Sequence, residues 1–309
     1  MPKLSSEEIR RFEKEGFIIV RNAYSDKETE SFKNAILKLK AELYSAQSTS
    51  KPIAFKGSPF NYDELERVPF DDRILDIAKS LLGDSLVYFG DSSVNMGGGG
   101  ASQRGFHRDC VNRFNLFGPD WDADYPLLRI GIYLGDFSVN SGGLKIIPGS
   151  HRPRFSFLRR IFLRSLKHQI RIFSLPFDWL RRCLSIFQGG YNIPSRTGDI
   201  VAWSFRLLHS AGNVRLKRWS TWSLPVWIEN ALPKSWIQPG GEQRMVMFVA
   251  FAADGPHLDR YLATRRPSDL EWWKTIRWDG VIEQWAREKG IRLRKPDPAV
   301  GELFKPRNK

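Results

Sequence analysis

The sequence predicts an α+β protein, and three observations carry that reading. Helical periodicity is confined to residues 1–84, short apolar or alternating runs follow it, and Gly, Asn, Asp and Pro separate those runs. Helices first and a β-rich body afterwards is the pattern of strands closing into a sandwich or barrel.

Residues 5–16, SSEEIRRFEKEG, open on a capping pattern and stop at Gly16, so they read as a short helix. FIIV follows as a strand, and SDKETESFKNAILKLKAELYSA as a long amphipathic helix capped by Ser25. DDRILDIAKSLLG is a further helix with Gly83 as its stop. The period then changes: SLVYFGDSSVNM, LLRIGIYLGDF, GGLKIIPGSH, GDIVAWSF and RMVMFVAFAA each read as strand and turn. Residues 153–187, rich in Phe, Leu, Ile and Arg, and 214–243, rich in Trp and Pro, interrupt the β pattern as insertions at one rim. We read one domain over 1–309. Residues 1–84 are its N-terminal helical part, 85–255 the β core with both insertions, and 256–309 a C-terminal extension.

With 309 residues, 41% of them hydrophobic, the chain can bury one large core. Cys110 and Cys183 are too few for a disulfide framework, which predicts a reduced, cytoplasmic setting. The N-terminus shows no apolar leader segment, and no apolar run approaches the ~20 residues needed to span a bilayer. The formal charge of +14 is local in origin: between His151 and Phe187 nine Arg or Lys face one acid, Asp178.

The chemistry rests on five histidines: His107, His151, His168, His209 and His257. His107 and Asp109 stand two apart in FHRD, so on a strand both face one side and Arg108 the other. The pair alone is a weak signal. Two histidines and one carboxylate make the facial triad of non-haem Fe(II) oxygenases, which leaves three open positions. His209 supplies the third ligand, since it ends the strand of TGDIVAWSFRLL and precedes the turn SAGN. His151 reads as a hydrogen-bonding residue at a turn, His168 and His257 as bystanders, and Cys110 as packing.

FEKEGFIIVRN, FHRD, GIYLGDFSVNSGGLKIIPGSHR, GDIVAWSFRLLHSAGN and RMVMFVAFAA, in that order, resemble the phytanoyl-CoA dioxygenase family of Fe(II)/2-oxoglutarate enzymes. The run from Gly142 to His151 is the most distinctive of these. The resemblance implies a double-stranded β-helix (jelly-roll) core with N-terminal helices and helical insertions. It also implies Fe(II) and 2-oxoglutarate as cofactors, with His107, Asp109 and His209 as metal ligands. The family grips the distal carboxylate of 2-oxoglutarate with a cation, and an arginine fork suits that task. Arg218, nine residues after His209, and Arg244, which opens an apolar strand, are the two candidates; Arg244 is preferred if 214–243 is an insertion. Asn95 is a further candidate contact to the cosubstrate. Because related halogenases replace the carboxylate by a small residue, Asp109 implies hydroxylation of an unactivated C–H in a small-molecule or lipid-like substrate. The alternative is a non-catalytic jelly-roll protein that binds a lipid, glycan or membrane surface.

Within residues 154–173, Leu158, Ile161, Phe162, Leu166, Ile170 and Phe173 fall on one helical face, and Arg160, Arg164, Lys167 and Arg171 on the other. That is the pattern of an interfacial helix, which predicts peripheral contact with a membrane or anionic lipid, or else a lid packed on the body. No stacking-aromatic motif accompanies the charge, which argues against nucleic acid.

Overall fold

The computed structural model describes residues 3–43, 53–56, 63–97, 106–110, 119–121, 125–152, 190–211, 214–218, 226–238, 244–264, 273–274 and 276–295. The basic stretch 154–173, His168 within it, and Cys183 lie outside them.

Helix α1 (Ser6–Glu15) starts where the sequence says it should. Ser5 and Glu8 exchange hydrogen bonds in a capping box, and Gly16 ends the helix at φ +84°. A Cβ at Gly16 would stand 2.3 Å from Nδ1 of His151, so this glycine serves both the left-handed turn and the packing. Strand β1 (Phe17–Val20) leads to α2 (Asp26–Leu43), which is capped by reciprocal bonds between Ser25 and Glu28. Strand β2 (Ile53–Lys56), the single turn α3 (Asp63–Glu66) and α4 (Asp72–Leu82) follow. Helix α4 buries Ile74, Leu75, Ile77 and Ala78 on one face, as its period predicted.

The strands are β3 (Leu86–Tyr88), β4 (Ser93–Gly97), β5 (Leu127–Tyr133), β6 (Leu144–Ile146), β7 (Tyr191–Asn192), β8 (Ile200–Ser204), β9 (His209–Ala211) and β10 (Arg244–Ala253). Helix α5 (Val226–Ala231) lies between β9 and β10, inside the stretch read as an insertion. Helices α6 (Pro256–Ala263) and α7 (Val281–Glu288) and the short β11 (Arg292–Leu293) close the described chain.

Eight strands form a large sheet in the order β1-β8-β5-β10-β3-β11, with β4 also on β10 and β2 on β4; β7-β6-β9 form a small one. Every pair in the large sheet is antiparallel except β11 on β3. Alternation along β8 and β10 sends side chains to two cores. Val201, Trp203, Val246 and Phe248 join Leu144 and Ile146 of the small sheet in one cluster. Ala202, Met245, Met247 and Val249 join the helices in the other. The C-terminal stretch belongs to this second core, to which it adds Trp273, Ile276, Trp278 and Ile282. Mixed α/β layering with a two-faced sheet is thus what the change of period predicted.

Candidate active site

The small sheet explains why His107 and His209, so distant in sequence, meet. They are directly opposed residues of one antiparallel bridge: His107 N donates to His209 O at 2.9 Å, and His209 N to His107 O at 3.0 Å. Their rings consequently stand 4.3 Å apart. His107 sits in an isolated bridge rather than in the strand the sequence predicted. The chain bends next because Asp109 N and Cys110 N both donate to Phe205 O, at 2.9 and 3.2 Å. The bend still places His107 and Asp109 together. Arg108 is directed elsewhere, donating to Arg206 O at 2.7 Å and lying over the Trp121 ring.

The triad converges: Nε2 of His107 is 3.9 Å from Asp109 Oδ1, and Nε2 of His209 is 3.8 Å from Asp109 Oδ2. The ligand atoms all lie within 4.8 Å of one another, close enough for one ion to reach all three. His209 is buried, and its Nδ1 lies 3.0 Å from Leu207 O. A carbonyl can only accept, so the proton sits on Nδ1 and Nε2 is bare toward Asp109. Burial pushes the His209 imidazole down to about 4, which leaves it neutral at neutral pH, the form that ligates a metal. The Asp109 carboxyl is desolvated, yet His209, Arg129 and His107 outweigh that and hold it below the usual carboxylate range. The His107 side chain is 37% exposed and marks the open side of the site.

Sequence reasoning missed the support behind Asp109. Arg129, the one charged residue of β5, places Nε 3.4 Å from Asp109 Oδ2 and Nη1 3.0 Å from Asp91 Oδ1. Tyr261 donates to the other oxygen of Asp91. The visible signal was a lone arginine in the apolar run LLRIGIY.

Arg244 heads β10, half-buried, and its Cδ runs past Gly142, where a Cβ would sit 3.5 Å away. Val246 is in register with Tyr133 on one side and with Asn95 on the other, so Asn95, Val246 and Tyr133 share a face with Arg244. Asn95 is half-buried. The Tyr133 hydroxyl is wholly buried with no hydrogen-bond partner among the described residues, and the charge of Arg244 acts on it. Arg218 is exposed at the surface, beside Trp236.

Three other predicted roles have plain outcomes. His151 Nε2 bonds Glu13 O at 3.1 Å, a structural contact at a turn. His257 lies 3.4 Å from buried Asp120. Cys110 is buried, and burial pushes its thiol up to about 12, so it packs.

The model of the phytanoyl-CoA dioxygenase (PhyH) family matches residues 12–218. An ectoine dioxygenase of Bordetella bronchiseptica is 24% identical over 233 residues, 70% of this chain and 72% of that one. Among solved structures, HygX from Streptomyces hygroscopicus, with nickel and 2-oxoglutarate bound, superposes with a TM-score of 0.53. That match has 16% identity over 81% of this chain and 88% of HygX. EctD from S. alaskensis, with bound Fe, gives a TM-score of 0.50 at 17% identity, over 81% and 77% of the two chains.

Proposed function

We infer that this chain, which belongs to the phytanoyl-CoA dioxygenase family, is an iron(II)- and 2-oxoglutarate-dependent dioxygenase that hydroxylates an unactivated C–H of a small-molecule or lipid-like substrate. One observation carries the assignment: two histidines and a carboxylate converge within 4.8 Å, and the buried imidazole turns a bare Nε2 inward. This donor set fits iron(II), for a neutral imidazole pair with one carboxylate is the facial triad that leaves positions for cosubstrate and dioxygen. The metal ligands are His107, Asp109 and His209.

When bound, iron(II) and 2-oxoglutarate supply the oxidising chemistry, in which oxidative decarboxylation of the oxoacid to succinate and carbon dioxide drives hydroxylation of the substrate. The chain's part is orientation. Leu207 O fixes the tautomer of His209, and Arg129 fixes Asp109. Arg244 grips the distal carboxylate of 2-oxoglutarate, the Tyr133 hydroxyl donates a second bond to it, and Asn95 adds a polar contact along the same face. Arg218 falls inside the matched family region and Arg244 beyond it, yet Arg244 opens the strand that faces the inter-sheet space, whereas Arg218 faces solvent. Trp203, 5.6 Å from the His209 ring and 5.7 Å from Phe248, walls the site against water.

The core is a double-stranded β-helix. Strands β8-β5-β10-β4 make one layer, and β7-β6-β9 with the His107 bridge make the other. Residues 1–84 and 256–309 flank a core at 85–255, with insertions at 153–187 and 214–243.

Anaerobic titration with Fe(II) and 2-oxoglutarate tests the assignment through the weak visible band of the chelate. The wild type develops the band and His107→Ala does not. A wild type without the band leaves the non-catalytic jelly-roll reading instead.

A further inference from the structure

Residues 214–238 carry a feature the iron chemistry does not use. Four of the eleven tryptophans fall between Trp219 and Trp236, and Glu229 is the sole acid from Val214 to Gln238. Glu229 is buried against Lys145, Nζ to Oε1 2.6 Å, so the exposed part of this stretch presents cations alone.

The stretch is firmly seated. Leu216 pairs with Ile237 in an isolated bridge, and Lys217 N donates to Trp236 O at 2.9 Å. Ser141 Oγ, in the main body, accepts from Arg215 N at 3.0 Å and donates to Gln238 O at 2.7 Å. Between the paired segments lies a groove of about 310 Å³, floored by Leu216 and walled by Lys217, Arg218, Ser235 and Trp236. Trp236 is 56% exposed, the most exposed of the large hydrophobic side chains among the described residues. Lys217, Arg218 and Lys234 are exposed too, and none forms an ion pair among the described residues.

We propose that this face docks the protein on an anionic membrane surface, with Trp236 seated at headgroup depth and Lys217, Arg218 and Lys234 against the lipid phosphates. Tryptophan favours the interfacial layer because its ring is amphipathic, and basic residues beside it gain from the negative surface potential. A sheet of many anions suits three exposed cations better than one small anion does, since no buried polar side chain closes the groove around a single ligand. The net charge of +14 and the amphipathic pattern of residues 154–173 point the same way by independent routes. No described helix is long and apolar enough to cross a membrane, so the contact is peripheral.

The test is co-sedimentation of the full chain with phosphatidylcholine vesicles, with and without phosphatidylglycerol, at low and high salt. We expect binding to the anionic vesicles only, lost at high salt. It weakens about tenfold or more in Trp236→Ala and in the pair Lys217→Glu with Lys234→Glu. Lys217→Gln with Lys234→Gln repeats the measurement should charge reversal impair folding, and retention of the wild-type melting temperature confirms a folded variant. Absence of vesicle binding in the wild type overturns the proposal. So does undiminished binding in the folded variants, or a loss confined to single-stranded oligonucleotide binding measured alongside.

Discussion

Arg129 holds Asp109 and Asp91 at once, Nε 3.4 Å from Asp109 Oδ2 and Nη1 3.0 Å from Asp91 Oδ1. Burial alone would discharge this guanidinium, but the two carboxylates outweigh that and keep it charged. The site therefore carries two buried acids and one buried base with two neutral imidazoles, a net negative charge suited to a divalent cation.

Replacing Arg129 should act through Asp109. Arg129→Met is expected to weaken iron binding about 10- to 100-fold, the usual effect of losing a residue that orients a metal ligand. Arg129→Lys should restore part of it. The chelate band in an Fe(II) titration reads both; equal affinity in wild type and Arg129→Met would refute the positioning role.

Arg244 and Tyr133 share one face beside the triad, which predicts a graded effect on cosubstrate affinity. Arg244→Ala should raise KM for 2-oxoglutarate about 100-fold, consistent with ~3 kcal/mol for a charge-assisted pair. Tyr133→Phe should raise it about tenfold, and Arg218→Ala should leave it within about twofold. A large effect at Arg218 with none at Arg244 would reverse the assignment.

His151 makes stability pH-dependent. Its Nε2 donates to Glu13 O, so Nδ1 is bare and buried with no partner, and a second proton has no acceptor. Burial first, then the charges of Arg206 and Arg152, push the imidazole down to about 4, against 6.5 for the model value. The unfolded chain thus binds the proton more readily. Stability is full above about pH 6.5 and falls as the pH drops toward 4. Between pH 7 and 5 the wild type should lose about 2 kcal/mol through this group, and His151→Gln should lose correspondingly less. Denaturant melts at both pH values check it, and parallel losses in the two proteins would refute it.

Gly16 should be intolerant of a side chain. At φ +84°, with the His151 ring 2.3 Å from any Cβ, Gly16→Ala is expected to cost about 2 kcal/mol or more. A thermal melt reads the loss, and Gly83→Ala is the contrast: it has a similar φ but nothing within 4 Å.

Local signals were legible in the chain itself. The capping boxes at Ser5 and Ser25, the stops at Gly16 and Gly83 and the alternation along β8 and β10 all depend on residues a few positions apart. The spacing of His107 and Asp109, and the turn after His209, were legible for the same reason. So was the interruption before Arg244, because an apolar run beginning with arginine reads as a strand on its own.

What tertiary structure alone decided are contacts between distant segments. The bridge that sets His107 against His209, the guanidinium of Arg129 behind Asp109 and the unpartnered hydroxyl of Tyr133 beside Arg244 each join separate strands. Periodicity tells which face a side chain takes, but not which strand lies across from it. Register between strands is settled by the packing of the whole sheet, so the triad could be named from sequence while the residues that hold it in place could not.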